Sequence, residues 1–382
     1  MSLRGNIRGA TSRWLAIVGE SVHALPNGLE RKSGTVTFAL VPLGDIGALE
    51  RQWRALDAVG SHSFFASWTW VSALLKNARG MTLLTASRGG SLAGMAVCRR
   101  ARWPGRVWFN ASGERVVDGV MVEHNNFALP GGDDPRLWAD LLSWFAADGL
   151  QANELIVPGT TAAPAVSNGL IVVEDCRKAF RTPLDRLGSD GIAPLLSRNA
   201  RQQLRRSLRD FGGELRLDVA PGPATALDWF GQLKALHICS WSRRGRRHAF
   251  TNPAFEPFHR AVISAGAGDV DLLRITAGDR VLGYLYNFKR NGVVHSYQSG
   301  FADADPGLRP GYVCHALAIG HYARTGMAVY DFLAGTNRLK QSFGFDSYDM
   351  VWRRYRRPSL AYRLERIVRE RIITPKPAAA EH

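Results

Sequence analysis

Cysteine is scarce in this chain, and its four cysteines stand far apart. Cys98, Cys176, Cys239 and Cys314 form no CxxC pair, so the sequence indicates neither a disulfide framework nor a structural zinc site. We therefore expect a reducing, cytoplasmic environment. No apolar run approaches the roughly 18 residues of a membrane span. The patch Trp14–Val18 is too short for the hydrophobic region of a signal peptide.

Several catalytic motifs are also missing. The sequence contains no GxxxxGK[ST] loop and no strand-linked GxGxxG, which argues against nucleoside triphosphatases, kinases and Rossmann dehydrogenases. It has no GxSxG elbow of a serine hydrolase. No HExxH or other metal spacing occurs, and His315 and His321 lie six residues apart, so they do not share a helix face. We expect no metal site and assign no histidine to catalysis.

Charge of one sign dominates. The 382 residues include 49 Lys and Arg against 33 Asp and Glu, a formal net charge of +16, and 46% of them are hydrophobic, as in a globular protein. Such an excess is typical of nucleic-acid binding, but it also suits an enzyme with an anionic cofactor and an acidic acceptor. Residues 1–34 mix arginines with Gly, Ser and Pro, and we expect a flexible basic leader there.

An internal repeat is present. Leu83–Val97 (LLTASRGGSLAGMAV) aligns without a gap with Leu272–Tyr286 (LLRITAGDRVLGYLY), and Gly94 then matches Gly283. Each copy predicts two strands joined by a Gly-containing turn. Each is preceded by an aromatic-rich helix and followed by a strand, a helix and a further strand. In the first copy the first helix is predicted at Phe64–Leu75, the second helix at Pro135–Ala147 and the last strand at Glu154–Val157. In the second copy the same three elements are predicted at Phe250–Ile263, Gly311–Thr325 and Val329–Leu333.

The element order predicts an α/β chain (α+β with a mixed sheet) made of two tandem domains of one fold. We place them at residues 35–185 and 186–358, followed by a basic helix and tail at residues 359–382. The copies differ at the start of the second helix. Asp133 and Asp134 precede it in the first copy, where they cap the helix and would repel a pyrophosphate. The second copy has Arg309 there, so we expect only this copy to bind an anionic cofactor.

The segment Val293–Gly344 is the most informative part of the chain. It predicts a strand, a Gly/Pro-rich loop, a helix, a second strand and a polar loop that carries Lys340. The loop brings Arg309 to the first turn of the helix, where free N–H groups and the helix dipole favour a phosphate or pyrophosphate. A strand, an anion-binding helix start and a next strand are the arrangement of the acyl-CoA half of an N-acetyltransferase.

The order of several motifs resembles the CelD/BcsL-type acetyltransferase family, within the Gcn5-related N-acetyltransferase superfamily. The motifs are SRNARQQLRRSLRDFGG, LHICSW followed by RRGRR, AFTNPAFEPFH, YQSGFAD, PGYVCHALAI and YDFLAG with a following lysine. The family is similar to the peptidoglycan aminoacyltransferases of the FemX kind, which also use two copies of the fold. This resemblance implies a tandem duplicated Gcn5-related N-acetyltransferase fold and acetyl-CoA, or another acyl-CoA, as cosubstrate. The chain departs from the family's pattern at Arg309, where the family usually has a serine.

The resemblance also implies site residues. Tyr297 and Ser299 lie on the strand whose backbone N–H groups meet the thioester, while Arg309, Gly311 and Tyr312 are expected to bind the pyrophosphate. Gln298 could orient the acceptor, or it is an ordinary polar strand residue. Arg309 could equally be a solvated loop residue.

Asp331 and Lys340 are the other candidates. Asp331 interrupts an apolar strand, so it must be paired or functional, and we expect a general base or an acceptor-positioning residue. The alternative is a salt bridge, for example to Lys340. Lys340 matches the lysine after the family's DFL-type motif and would hold an acidic acceptor or Asp331, unless it is a plain surface lysine.

For the acceptor, we consider two basic segments. Arg201 and Arg205 belong to one arc of a predicted helix at residues 195–210, and Trp241 with Arg243 offers an aromatic platform beside arginines. Both segments could bind an anionic or sugar-containing acceptor, and both could be solvated surface. The resemblance suggests a role in cellulose, exopolysaccharide or envelope synthesis, peripheral to a membrane-bound complex. A transferase using aminoacyl-tRNA and a non-catalytic acyl-CoA or nucleic-acid binding protein remain alternatives.

Overall fold

The computed structural model describes residues 29–33 and 36–358, apart from residues 104, 133, 166–168, 189–190, 267 and 303–306. Within this part of the chain, thirteen strands form one mixed sheet. The strands are β1 (Leu29–Ser33), β2 (Val36–Pro42), β3 (Met81–Arg88), β4 (Ser91–Ala101), β5 (Arg106–Phe109), β6 (Glu154–Thr160), β7 (Ile171–Pro183), β8 (Leu215–Val219), β9 (Val270–Ala277), β10 (Arg280–Arg290), β11 (Val293–Phe301), β12 (Val329–Ala334) and β13 (Asp346–Arg356).

The helices lie between these strands. They are α1 (Ile46–Val59), α2 (Trp68–Asn77), α3 (Arg115–Asp118), α4 (Pro135–Ala146), α5 (Arg198–Asp210), α6 (Pro223–Arg243), α7 (Phe255–Ala265), α8 (Pro310–Arg324) and α9 (Arg338–Phe343). The repeated elements predicted from the sequence are all present, with ends shifted by a few residues. The largest shift is at the second aromatic-rich helix, because Ala249–Thr251 forms a separate 3-10 turn before α7.

The internal repeat is confirmed at the level of strand register. In the first half Ala86 pairs with Gly94 and Ser87 with Leu92, which leaves Ala93 as a bulge. In the second half Ile275 pairs with Gly283 and Thr276 with Val281, which leaves a bulge at the equivalent position. The following pairs, β5 with β6 and β11 with β12, are both parallel. The chain is therefore a tandem duplication of one mixed α/β unit.

The two halves exchange strands at the centre of the sheet. The strand order is β1-β2-β3-β4-β5-β6-β13-β7-β12-β11-β10-β9-β8. Strand β7 follows the first half in sequence but pairs with β12 and β13, and β13 pairs with β6 and β7. A chain position near residue 185 therefore does not divide the protein into two separate sheets. Each half needs the last strand of the other to continue its hydrogen bonding.

Three apolar cores cover the two faces of the sheet. Alternation along the strands decides which core a residue enters, so Leu83 and Leu84 point to opposite faces, as do Leu272 and Leu273. One face carries a single core shared by α1, α2, α6 and α7, that is, by both halves. On the other face α4 covers the first half, and α5 with α8 covers the second.

Two predicted segments fall partly or wholly outside the described residues. The flexible leader was expected to extend to residue 34, but residues 29–33 form β1 and pair with β2, so this part of it is a strand. The rest of the leader, the helix and tail at residues 359–382, and Asp133 lie outside the described residues.

Candidate active site

Strands β11 and β12 separate where the sheet opens. They pair only from Val293 with Val329 to His295 with Asp331. Beyond this point β11 carries a bulge at Tyr297, because Ser296 pairs with Asn287 and Gln298 with Tyr286. Bulges interrupt the ladder and occur next to active sites. A cavity of about 1020 Å³ opens here, lined by β11, the ends of α6 and β12, and the starts of α8 and α9.

The start of α8 faces this cavity. Arg309 is its N-cap and Pro310 its first residue, and no side chain caps the first turn. In the first half, by contrast, the N-cap Asp134 accepts hydrogen bonds from the N–H groups of Arg136 and Leu137. A helix start without a side-chain cap leaves N–H groups for a ligand, and its dipole favours an anion. Arg309 is exposed and lies on the cavity wall.

Helix α5 holds the loop before α8. The Ser207 hydroxyl accepts a hydrogen bond from the Arg309 N–H at 3.1 Å, and Gln203 Nε2 donates to the Gly307 carbonyl at 2.6 Å. Arg201 instead donates to the carbonyls of Pro194 and Leu196, and Arg205 is exposed. Neither arginine lines the cavity. Helix α5 therefore supports the loop before α8, and the structure does not bring Arg201 and Arg205 to the cavity.

The predicted cofactor residues are brought together on the cavity wall. Tyr297, Ser299, Gly311 and Tyr312 all line it, and so does Gln298. A Cβ on Gly311 would lie 3.1 Å from the ring of Phe301, so the helix start packs closely against β11.

Side-chain contacts fix three of these wall residues. Gln298 Oε1 accepts from the Ser299 N–H at 3.0 Å. Tyr297 donates its hydroxyl to the Val120 carbonyl of the first half, and the Tyr312 hydroxyl lies 2.9 Å from Ser342 Oγ.

Asp331 is buried behind the cavity wall. Its carboxylate accepts hydrogen bonds from Tyr348 at 2.7 Å and from the Leu333 N–H at 2.8 Å, and pairs with His124 Nε2 at 3.0 Å. Burial alone raises its pKa, but the hydrogen bond and charge of His124, with His295 and Leu333, lower it to about 2. Asp331 is not among the lining residues. It is a paired, ionised structural carboxylate, and this geometry does not support our expectation that it is the general base.

Lys340 does not pair with Asp331. Its Nζ donates to the carbonyls of Leu333 at 3.1 Å and Ala334 at 2.6 Å. Leu333 has a φ of +61°, a strained value for a residue with a side chain. Lys340 and the Asp331 carboxylate thus hold this turn from two sides. Burial lowers the pKa of Lys340, while Glu123 and Asp331 oppose the shift.

Glu123 is the residue that the sequence analysis missed. It comes from the first half, is only 5% exposed, and lines the cavity. Its Oε2 accepts a hydrogen bond from the Ala334 N–H at 2.8 Å. Burial raises its pKa, and the Ala334 N–H and the Lys340 charge partly oppose this. The polar run Glu123–Asn126 between apolar neighbours was the signal that could have identified it.

The same loop closes the equivalent gap in the first half. Asn125 donates to the carbonyls of Phe109 and Pro158 at 3.0 Å each, and accepts from Asn110 at 2.9 Å. Its own N–H donates to the Gly159 carbonyl. These bonds bridge the ends of β5 and β6, where the second half has its open cavity. In the first half these bonds hold the two strand ends together, and the start of α4 is capped as we predicted.

The remaining wall is basic and aromatic. Trp241 and Arg243 line it as predicted candidates for acceptor binding. His237 stacks on Trp241 with ring centroids 5.3 Å apart and donates its Nδ1–H to the Ser299 carbonyl at 2.8 Å. Burial lowers the pKa of His237, so it is neutral near pH 7. Among the lining residues, Glu123 carries the one carboxylate. The cationic lining residues are Arg243, Arg244, Arg246, Arg309, Arg338 and Lys340.

One buried cluster has the donor set of a metal site. Ligand atoms of His124, His295 and Asp331 lie within 4.8 Å of one another. The hydrogen bonds of Asp331 to His124, Tyr348 and Leu333 already account for its oxygens. The expected absence of a metal stays a prediction.

Comparisons with known proteins agree with this fold. Residues 198–341 match the family model described as an acetyltransferase (GNAT) domain. The chain is similar in structure to FemX, with a TM-score of 0.55, 10% identity, and coverage of 85% of this chain and 98% of that one. It is also similar to a conserved protein of unknown function from Bacteroides thetaiotaomicron, with a TM-score of 0.50, 11% identity, and coverage of 81% and 97%. No curated protein sequence matches the chain.

Residues 198–341 therefore carry the match to an acetyltransferase (GNAT) domain, and the likeness to FemX shows the fold of the chain. The predicted fold, a tandem duplicated Gcn5-related N-acetyltransferase fold on a mixed sheet, is confirmed. Among the described residues, no helix is both long and apolar enough to cross a membrane.

Proposed function

We propose that the protein transfers an acyl group, in the first instance acetyl, directly from acyl-CoA to an amine of a polar, anionic or sugar-containing acceptor. The observation that carries this proposal is the α8 start, which has no side-chain cap and, with Arg309 as N-cap, opens into the cavity beside the separated strands. A pyrophosphate bound there would meet backbone N–H groups, the positive end of the helix dipole and a guanidinium.

Strand β11 offers a hydrogen-bond donor for the attack on the thioester carbonyl. A thioester carbonyl needs an N–H donor as charge develops on its oxygen. The Ser299 N–H lies at the cavity and is met by Gln298 Oε1. We infer that this side chain moves aside for the thioester oxygen, which is a role different from our expectation that Gln298 orients the acceptor. His237 donates to the Ser299 carbonyl, which belongs to the next peptide unit, and so restrains the strand beside this N–H.

Glu123 is the group best suited to take the proton. The acceptor amine must lose a proton as its nitrogen attacks the carbonyl carbon and the C–S bond breaks, which leaves the CoA thiolate to be protonated. A buried carboxylate with a raised pKa on the cavity wall can serve as this base. The Ala334 N–H holds it in place, and Lys340 holds Ala334. We therefore assign Asp331 and Lys340 positioning roles.

The acceptor side of the cavity is cationic. Trp241 offers an aromatic face, and Arg243 and its neighbours offer charge, which suits a sugar bearing a phosphate or carboxylate. A role in polysaccharide or envelope synthesis, as in the CelD/BcsL-type family, is consistent with such an acceptor and is part of the proposal.

Ligand-induced stabilisation tests the donor. We expect acetyl-CoA at about 100 times its Kd to stabilise the protein by about 2.7 kcal/mol, measured as a rise in melting temperature. Arg309→Glu should abolish this rise, while the control Arg324→Glu in the last turn of the same helix should keep it. Stabilisation by aminoacyl-tRNA and not by acetyl-CoA would instead favour the aminoacyl transferase. Stabilisation by neither would contradict the proposed reaction.

A further inference from the structure

The turn between β4 and β5 exposes a tryptophan. Trp103 has 92% of its surface accessible, and the next most exposed large apolar residue among those described, Val59, has 58%. Arg102 beside it is also exposed. None of these residues lines the cavity, so the turn is separate from the candidate active site. A tryptophan this exposed gains nothing from folding.

The repeat provides an internal comparison. The equivalent turn of the second half has two residues between its strands, Asn291 and Gly292, whereas the first-half turn has four, residues 102–105. Asn291 and the preceding Arg290 pack against the first half, where they donate to the carbonyls of His62 and Asp57. The second-half turn therefore joins the two halves. The first-half turn is two residues longer and carries Trp103 into solvent.

The surroundings of Trp103 are basic. Arg100 and Arg106 flank the turn at the ends of β4 and β5. Glu154, which pairs with Arg106 across β5 and β6, is buried between Arg106 at 2.7 Å and Arg356 at 2.9 Å, and the carboxylate of Asp148 pairs with Arg357. One buried negative charge thus meets two arginines, and the net charge of this end of the sheet stays positive.

The described chain also ends at this edge. The Arg357 N–H donates to the Asn153 carbonyl beside β6, one residue before the described part ends at Pro358. The sequence that follows has arginines at positions 363, 366, 369 and 371 interspersed with Leu364, Ile367 and Val368. That pattern is typical of a basic amphipathic helix. This basic segment lies outside the described residues.

We propose that the Trp103 turn, defined by Arg102 and Trp103 with the flanking Arg100 and Arg106, is a docking surface for an anionic lipid bilayer. Tryptophan is enriched at the membrane–water interface because its ring is apolar and its N–H is polar. Arginines beside it are attracted to anionic headgroups. The turn is a protruding tip with a single ring, whereas single-stranded nucleic acid is bound by a groove with successive stacking platforms.

Vesicle co-sedimentation tests this surface with the full chain. We expect binding to phosphatidylcholine vesicles that contain about 30% phosphatidylglycerol, at about 0.1 M salt, and not to pure phosphatidylcholine. The double variant Arg102→Ser/Trp103→Ser should reduce the bound fraction at least about fivefold. Its melting temperature should stay that of the wild type, since both side chains are exposed.

A matched double variant controls for lost charge and apolar surface. Arg51→Ser/Val59→Ser removes an exposed arginine and an exposed apolar residue from α1, and should bind vesicles as the wild type does. Two results would overturn the proposal. One is that the wild type does not bind anionic vesicles, including the case where it binds single-stranded RNA through Trp103 instead. The other is that the Trp103 turn variant binds vesicles as well as the wild type, which would place the attraction in the C-terminal arginines.

Discussion

Glu123 of the first half accepts a hydrogen bond from the backbone N–H of Ala334 in the second half, at 2.8 Å. The carboxylate and the turn that holds it thus come from different copies of the repeat. In the first copy Asn125 bonds across the corresponding strand ends, and the first copy also supplies part of the wall of the cavity of the second.

Glu123→Gln tests the proposed base. Glutamine keeps an oxygen to accept from Ala334 but cannot take a proton, so we expect kcat to fall about 10²–10⁴-fold with the melting temperature nearly unchanged. In the wild type, activity should fall at low pH as Glu123 becomes protonated. Because burial raises its pKa, this acid limb should lie above the ordinary range of a glutamate.

The control for this variant is Glu114→Gln, which removes a half-exposed carboxylate paired with Arg99. It should leave kcat unchanged. If Glu123→Gln retains full activity across the pH range, Glu123 is not the base.

Lys340→Met tests the positioning turn. The carbonyls of Leu333 and Ala334 lose their side-chain donor, which we expect to cost about 1–3 kcal/mol of unfolding free energy. The positive charge of Lys340 lowers the pKa of Glu123, so its removal should shift the acid limb of the pH–rate profile to higher pH. Lys178→Met, at an exposed pair with Asp349, is the control and should do neither. If the acid limb does not shift, the charge of Lys340 does not affect the pKa of the base.

The fold was largely predictable because duplication doubles the signal. Gly94 and Gly283 mark the same bulged hairpin in both copies, and the element order agrees around them. The exchange of β7 and β13 was not predictable. Neither strand alternates regularly between buried and exposed residues, and residues 173–178 of β7 are all exposed, so their sequences do not indicate which edge each strand joins.

For the candidate site, the sequence carries local signals but no long-range ones. Arg309 and Gly311 were found because a helix start has a recognisable sequence. Asp331 was correctly marked as unusual in an apolar strand, but its partners His124 and Tyr348 are 207 and 17 residues away, and sequence spacing does not reveal them. Glu123 is also far in sequence from the turn that it contacts. It reaches the site only through the contact between the two halves, so sequence spacing does not reveal it.

Asp331→Asn tests the buried carboxylate. An amide would turn a donor towards Tyr348, His124 or Leu333, so we now expect a loss of stability, about 3–5 kcal/mol at pH 7, rather than of activity alone. The pKa of Asp331 is lowered from 3.8 to about 2, so its ionised form stabilises the fold fully above about pH 4 and loses this effect as the pH falls through about 2. The difference in unfolding free energy between variant and wild type should therefore shrink across that window. A difference that is constant with pH would contradict the ionised pairing.

Asn125→Leu tests the closed gap of the first half. Leucine is close in volume but leaves the Phe109 and Pro158 carbonyls and the Asn110 amide without their partner, so we expect a loss of about 2–5 kcal/mol of unfolding free energy. Asn77→Leu, which removes one hydrogen bond to the Ala73 carbonyl, is the control and should cost about 1 kcal/mol.

Because Asn125 and the capped start of α4 close the first half, titration calorimetry should give one acetyl-CoA per chain in the wild type. Two equivalents bound per chain would show that both halves retain a cofactor site.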